Sequence, residues 1–457
     1  MKVTVVGSGY VGLTTGAALA YIGHHVTLID IDRKKIEGLR NGKLPIHEPF
    51  LSEVIEDAGE NLTFYDDWDQ FDPDSEVIII AVGTPSKGNG DADLSYVESA
   101  AKEIGARLND RTSPVIVNKS TVPIGSAERV KSVVKQIIAS RGMTNPVHVA
   151  SNPEFLREGE AVYDTFFPDR IILGVETDTA RNRLIDLYQP ILEQTFIPPK
   201  SLKRFEEVKL PVLITTSPTS AELIKYAANS FLAMKISFIN EFAGLAEHVG
   251  ADITEVAKGI GLDKRIGTHF LSAGVGWGGS CFGKDTNAIL YTAQQYGYEL
   301  KLVKAAREVN YHQRKLVVQK LQNQLKVLRG KTVGILGLAF KPNTDDVRDA
   351  PAIDIISHLL ELDCHVKVYD PVAMENCKNS FPHLDITYSP TVEHLFTDVD
   401  AVVLLTDWDD FKKLPFQSLG NLMNQRIIVD GRNCLDPKLL QSYGYTYLGI
   451  GRGAHIE

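Results

Sequence analysis

Cys281 is the residue with the most chemistry within reach. It lies in Gly274-Val275-Gly276-Trp277-Gly278-Gly279-Ser280-Cys281-Phe282-Gly283-Lys284-Asp285. The run TNAILYTAQQYG that follows has a helical pattern, so Cys281 is expected near a helix N-terminus, where the dipole favours thiolate. Lys284 can add positive charge. Asp285 is four residues on, and in a helix it shares a face with Cys281. A carboxylate there can accept a proton or order a water. A free cysteine is otherwise usually a small buried apolar residue. Five glycines in the ten residues 274–283 weigh against that, because glycine lets backbone amides crowd a ligand. Ser280 is a rival nucleophile, but its surroundings do not complete GxSxG.

A second set of polar groups interrupts an apolar run. The stretch from Pro218 to about Val249 has no internal breaker except Gly244, and Ser217-Pro218 suits an N-cap and first turn. Such a helix would span about 45 Å. Its few charges form no wide polar face, so it should be buried on most sides, between domains or between subunits. Lys225 and Asn229 share a face on it, with Glu222 a turn earlier. Buried, they need partners; on a surface stripe, the lysine simply reaches water.

A third constellation is Gly7-Ser8-Gly9-Tyr10-Val11-Gly12, a GxGxxG that follows a strand and opens a helix. Gly7 suits the tight turn, Gly9 close approach of a pyrophosphate, and Gly12 helix–strand packing. Asp30 ends the second strand and suits the ribose hydroxyls of NAD. Arg33, Lys34 and Lys35 nearby leave the choice against NADP open. Ser120-Thr121-Val122-Pro123 follows a strand whose C-terminal end should face the cofactor crevice. In Asn152-Pro153-Glu154-Phe155-Leu156-Arg157-Glu158-Gly159, a helix starting at Pro153 would put Glu154 and Glu158 on one face. First-turn helix charge is the plainer alternative there.

The elements that must position these groups are legible as patterns. VTVVG, HVTLIDID, EVIIIAVG, PVIVNKS, PVHVASN and RIILGV are strand-length apolar runs separated by helical stretches, as expected for a parallel sheet covered on both faces. KTVGILGLAF, HVKVYDP, DAVVLLTDW and RIIVDGRN repeat the pattern after Lys331. The class is α/β: two parallel-sheet domains joined by a helical middle. The polar, proline-bearing segment Phe196–Leu210 is expected to be an exposed loop. A chain of 457 residues suggests two or three domains. A net charge of −10 argues against nucleic acid or an anionic membrane surface as partner. Four dispersed cysteines form no metal pattern and fit a reducing compartment. No run is long enough to span a bilayer, and the N-terminus enters a strand at once, leaving no room for a signal peptide. A cytoplasmic protein is expected.

The motifs GSGYVGL, VGTPS, KSTVP, NPEFLREG, FPDRII, AELIKYAAN, DKRIG, GVGWGGSCFGKD, GLAFKPNTDDVRD, YDP and DGRN, in this order, resemble the UDP-glucose/GDP-mannose dehydrogenase family over nearly the whole chain. The resemblance implies two Rossmann-like domains joined by a long central helix and helical middle domain. These would be an NAD-binding domain 1–212, a central helical domain 213–312 and a UDP-sugar-binding domain 313–457. It implies that Cys281 is the nucleophile of a two-step, NAD-dependent oxidation of a C6 alcohol to a carboxylate. Lys225 would stabilise the oxyanion and Asn229 position substrate and water. Asp285, Glu158 and Thr121 would handle the hydrolytic water. NAD would meet Gly7, Gly9, Tyr10, Val11, Gly12, Asp30, Lys35, Thr84, Pro85, Thr121, Glu158, Lys284 and Arg348. The sugar nucleotide would meet Glu154, Phe155, Leu156, Lys225, Asn229, Phe270, Gly274, Gly276, Gly278, Phe282, Lys341 and Arg432. Arg265 would reach a neighbouring subunit's substrate. No metal is implied, and a homodimer or higher oligomer is. GGSCFGKD and DKRIG favour UDP-glucose as substrate, with GDP-mannose or a UDP-N-acetylhexosamine as alternatives. A single-step hydroxyacid-type dehydrogenase and a non-catalytic nucleotide-binding scaffold are the readings from other classes.

Overall fold

Valine and isoleucine in short uninterrupted runs decide where the sheets form, and the computed structural model describes residues 1–202 and 209–453. The first sheet has eight strands: β1 (Lys2–Val6), β2 (His25–Ile29), β3 (Leu62–Tyr65), β4 (Val77–Ile80), β5 (Val115–Asn118), β6 (His148–Ser151), β7 (Arg170–Gly174) and β8 (Val212–Thr216). Their order is β3-β2-β1-β4-β5-β6-β7-β8. Neighbours run parallel except β6 and β7, which meet antiparallel at Ser151 and Gly174. Every residue of β4 and β5 is buried. Val77, Ile79, Val115 and Val117 serve one core and Ile78, Ile80 and Ile116 another. Strand alternation thus feeds two helical layers.

The second sheet comprises β9 (Thr332–Leu336), β10 (His365–Tyr369), β11 (Thr387–Tyr388), β12 (Ala401–Leu404), β13 (Ile427–Asp430) and β14 (Thr446–Gly449). Its order is β11-β10-β9-β12-β13-β14, all parallel. In both sheets strand order reverses beside the first strand, and open α/β sheets of this kind bind ligands outside the C-terminal strand ends at that point. The strands that carry no sequence signal, β3, β8, β11 and β14, are all at sheet edges. An edge strand is half solvated, so its apolar run is interrupted: β8 has two exposed apolar residues, Val212 and Ile214.

The long helix runs from Pro218 to Val249. Ser217 Oγ accepts the Ser220 N–H at 3.2 Å, as an N-cap does. Burial on most sides is not what the chain shows. Ala233, Ser237, Ile239, Asn240, Ala243 and Ala246 are buried, while Phe231, Phe238, Phe242, Leu245 and Val249 are exposed. The helix is apolar on both faces, but one chain covers only one of them.

Two compact units result: Met1–Ala228 with Asn287–Gly297, and Asn229–Thr286 with Tyr298–Glu457. The expected exposed loop Phe196–Leu210 lies partly outside the described residues, at 203–208. Its start is anchored rather than free: the Phe196 ring packs 5.2 Å from Phe166 and 5.9 Å from Phe167, and Leu202 is buried.

Candidate active site

In the first unit, β1 delivers the chain into the GxGxxG turn. Gly7 has φ +106°, and its N–H bonds to Ile29 O at 2.8 Å. A Cβ on Gly12 would come within 1.9 Å of Gly7 O, so the first helix (Tyr10–Tyr21) can approach the strand only with glycine there. Gly9 is the helix N-cap and offers no capping side chain, and Val11 follows in the first turn. Asp30 sits beside the turn. Its Oδ2 accepts from Ser8 N at 2.7 Å and Ser8 Oγ at 2.6 Å, and its Oδ1 from Asp32 N at 2.9 Å. Lys35 is exposed, 3.9 Å from Asp32.

The loops after β4 and β5 are tied to each other. Thr84 Oγ1 donates to Thr121 O at 2.8 Å, and Ser120 Oγ to Val82 O at 2.7 Å. Pro85 O accepts from Asp93 N. The loop after β6 is not a helix. The helix expected from Pro153 begins only at Ala161, so Glu154 and Glu158 share no helical face. Two buried carboxylates explain the difference. Glu154 Oε2 accepts the Leu156 N–H at 2.6 Å, which bends the chain locally. Glu48 accepts from Gly159 N and Ala161 N, both at 2.7 Å, and so sets where helix begins.

Lys225 is buried, not a surface lysine. Its Nζ lies 2.9 Å from Glu154 Oε1, with side chains only 5% and 6% exposed, and 5.4 Å from the Phe155 ring centroid. Arg170 stacks 3.9 Å over the same ring, and Leu156 is half-buried. Burial alone would raise the Glu154 carboxyl. The Lys225 charge and hydrogen bond, the Leu156 N–H and Lys119 outweigh it and hold the group below its ordinary value. Glu222 is also buried. It accepts from Gly125 N at 2.6 Å, Ala127 N at 2.9 Å and Ser151 Oγ at 3.0 Å, fastening the segment after Thr121 to the long helix.

In the second unit, Cys281 immediately precedes the helix Phe282–Gln295 and is half-buried. Its Sγ is 3.5 Å from Ser280 Oγ, and its carbonyl accepts the Asp285 N–H at 2.8 Å. Asp285 is 1% exposed. Its Oδ2 accepts from Asn229 Nδ2 at 2.6 Å and its Oδ1 from Lys284 Nζ at 2.6 Å. A thiol at a helix N-terminus, with a hydrogen-bonded carboxylate one turn in, can act as nucleophile and water base.

The loop glycines also let the chain pack closely on itself. A Cβ on Gly276 (φ +92°) would come 2.4 Å from Asn310 Oδ1, and one on Gly279 (φ +86°) 2.7 Å from the Phe340 ring. Gly274 and Gly278 are likewise closed in by Gly431 O and Asp349 O. The space they leave is filled by the protein's own chain, which holds the loop rigid. Arg432 staples it: Nε donates to Leu405 O at 2.7 Å, one terminal nitrogen to Gly276 O at 3.2 Å and the other to Phe340 O at 2.9 Å. Lys341 Nζ lies 5.5 Å from the Phe340 ring. The Phe282 ring is 6.0 Å from Trp277 and 6.4 Å from Phe270. Arg348 is exposed and paired with Asp346 at 2.6 Å. Arg265 is 89% exposed and paired with Asp263, at none of these clusters.

Three family models match the chain in order: the NAD binding domain of the UDP-glucose/GDP-mannose dehydrogenase family at residues 1–192, its central domain at 219–312 and its UDP binding domain at 334–437. The chain belongs to this family. It is an NAD-dependent nucleotide-sugar dehydrogenase. UDP-glucose 6-dehydrogenase TuaD of Bacillus subtilis (strain 168) is 45% identical over 455 residues, 99% of this chain and 94% of that protein. A UDP-glucose dehydrogenase structure from Pyrobaculum islandicum is 37% identical with TM-score 0.87, covering 98% of this chain and 97% of that one. A UDP-D-ManNAc dehydrogenase from Pyrococcus horikoshii is 26% identical with TM-score 0.83, covering 99% of both chains.

The dehydrogenase's own geometry fits the dinucleotide. A Cβ on Gly9 would meet nothing of the protein within 4 Å, so the turn leaves room at the helix N-terminus, where phosphates bind. Asp30, just past β2, is held beside that turn by Ser8. No helix among the described residues is long and apolar enough to cross a membrane. Lys119 and Glu48 were not singled out from the sequence. A lysine at the end of the apolar run PVIVNKS was the available signal for the first; for Glu48 there was none.

Proposed function

We propose that the dehydrogenase oxidises C6 of UDP-glucose twice, yielding UDP-glucuronate through a thioester on Cys281. The observation that carries this is Cys281 at the start of a helix whose first turn holds Asp285 between Asn229 and Lys284. The sugar and base follow the printed names of the full-length relatives at 40–45% identity. NAD supplies the hydride acceptor, once in each of the two oxidations.

The chain's residues do the rest. The first oxidation turns the C6 alcohol into an aldehyde, releasing a hydride and the hydroxyl proton. The Cys281 thiolate adds to the carbonyl carbon, forming a C–S bond and placing negative charge on the C6 oxygen. Lys225 and Asn229, one helical turn apart, are the donors for that oxygen. Loss of the second hydride leaves a thioester. Asp285, with Glu158 and Thr121, takes a proton from water, which displaces the thiol and leaves a carboxylate. Gly7, Gly9, Tyr10, Val11, Gly12, Asp30, Lys35, Thr84, Pro85, Lys284 and Arg348 are the cofactor set. Glu154, Phe155, Leu156, Phe270, Gly274, Gly278, Phe282, Lys341 and Arg432 are the sugar-nucleotide set, with Arg265 serving a neighbouring subunit.

The same proposal divides the chain at 212 and 312, in keeping with the three model matches. It also makes the enzyme a cytoplasmic homodimer, or a higher oligomer built from it, that serves polysaccharide precursor synthesis. The uncovered stripe Phe231, Phe238, Phe242, Leu245 and Val249 supports self-association. The test is a panel of UDP-glucose, UDP-N-acetylhexosamines and GDP-mannose with NAD, counting NADH per sugar. UDP-glucose should give two equivalents. One equivalent, or preference for another sugar, would overturn the assignment.

A further inference from the structure

Glu222 precedes Lys225 by one turn of the long helix, and the mechanism above gives it no part. It is only 3% exposed. Its Oε2 accepts the Gly125 N–H at 2.6 Å, and its Oε1 accepts the Ala127 N–H at 2.9 Å and the Ser151 hydroxyl at 3.0 Å. Gly125 is the N-cap of the helix Ser126–Ser140 and has φ +92°. That conformation favours glycine, which brings no side chain to cap the helix. Ser126 does not stand in, because its hydroxyl donates back to Pro123 O at 2.6 Å. A carboxylate 97 positions away in sequence does the capping instead.

This cap also ties together two segments that the mechanism uses. On one side is the long helix, whose first turn rests directly on the end of β7. A Cβ on Gly174 would come 2.6 Å from Ala221 Cβ and 2.8 Å from Pro218 Cα. On the other side, the chain from Ser120 to Gly125 hangs between two anchors. At one end Ser120 Oγ donates to Val82 O at 2.7 Å, and Thr121 O accepts from Thr84 Oγ1 at 2.8 Å. At the other end Glu222 holds Gly125. Among the described residues no hydrogen bond reaches the Thr121 hydroxyl itself. Its direction is therefore set by the backbone between those anchors. Burial pushes the Glu222 carboxyl up in spite of its donors, so a buried carboxylate is a costly way to cap a helix.

We propose that Glu222 is a positioning residue for thioester hydrolysis: by fixing Gly125 to the helix that carries Lys225, it aims the Thr121 hydroxyl at the hydrolytic water. This rests on the parts given to Thr121 and Cys281 under the proposed function. The two oxidations use Cys281 and Lys225 and do not need that aim, so weakening the tie slows the last step alone.

The experiment compares full-length wild type, Glu222→Gln and Glu222→Asp with UDP-glucose and saturating NAD. Gln keeps the length and removes the charge. Asp keeps the charge and is one methylene too short to hold both N–H groups. Stopped flow should show first-turnover NADH formed at the wild-type rate in both. Hydrolysis of the acyl-enzyme should slow about tenfold, the rate equivalent of one charge-assisted hydrogen bond, and intact-mass measurement should find the acyl-enzyme accumulating. kcat and KM for UDP-glucose should fall together, leaving kcat/KM unchanged, because the slowed step follows the oxidations. A merely structural cap lowers the denaturant midpoint without this split. Variants with wild-type hydrolysis, or with kcat and kcat/KM reduced equally, would overturn the proposal, as would failure of both variants to fold. Asp285→Asn is the control: if it too accumulates no acyl-enzyme, the thioester reading itself fails.

Discussion

Asn229 and Asp285, 56 positions apart, meet through a 2.6 Å hydrogen bond in which the amide donates to the carboxylate. Lys284 closes on the other oxygen at the same distance. The Asp285 carboxylate, to which the proposed function gives the hydrolytic water, is thus fixed by the long helix on one side and by its own helix on the other. Asp285→Asn removes the proton acceptor and leaves two donors facing each other. Thioester hydrolysis should slow by about 10²–10⁴, and intact-mass measurement should find the acyl-enzyme accumulating. An unmodified protein with normal turnover would contradict this role.

Cys281→Ala should abolish net oxidation yet retain UDP-glucose binding, because the loop is held by Asn310, Phe340 and Arg432 rather than by the thiol. Cys281→Ser should stall as a slow or covalent intermediate. Calorimetry for binding and stopped-flow NADH yield per site separate the two. Full turnover by the alanine variant would exclude the thioester.

Lys225→Met should destabilise the protein by about 3–5 kcal/mol, because it leaves Glu154 buried without its cation. Lys225→Met with Glu154→Gln should recover part of that loss, and a denaturant double-mutant cycle measures it. The Glu154 carboxyl is held below its ordinary value. Its contribution is therefore complete above the unfolded-state value of 4.5 and is lost as pH falls through the lower folded-state value. The acid limb of the stability curve should flatten in Glu154→Gln.

Lys119 works in the opposite direction. Its ammonium is lowered from 10.5 to about 8 in the folded protein, so between those values the unfolded chain binds more protons. This group makes stability rise with pH across that window, by about 3 kcal/mol. Lys119→Met should lack that rise and be more stable than wild type near neutral pH. Denaturant midpoints measured against pH test this; parallel curves for the two proteins would contradict it.

Gly279→Ala places a Cβ 2.7 Å from the Phe340 ring at φ +86°. A loss of about 1–3 kcal/mol is expected, with kcat falling as the Cys281 loop shifts. A midpoint unchanged in urea would show that the loop relaxes freely.

What the sequence alone determined is what neighbouring residues decide among themselves. The turn at Gly7, the helix after Cys281, the one-turn spacing of Lys225 and Asn229 and the buried runs of β4 and β5 all follow from periodicity and backbone freedom within a few residues. Tertiary structure decided which polar groups are buried and what faces them. Glu222 reaches Gly125 across 97 positions, Glu48 holds Gly159 across 111 positions and so sets where the next helix begins, and Asn310 fills the space beside Gly276. The long helix reads as apolar throughout, but only the fold shows that one chain covers a single face. The physical reason is common to these cases. A hydrogen bond or ion pair between distant segments exists only after the strands have set their order, and the cost of burying a charge depends on that assembled environment, not on the residues beside it.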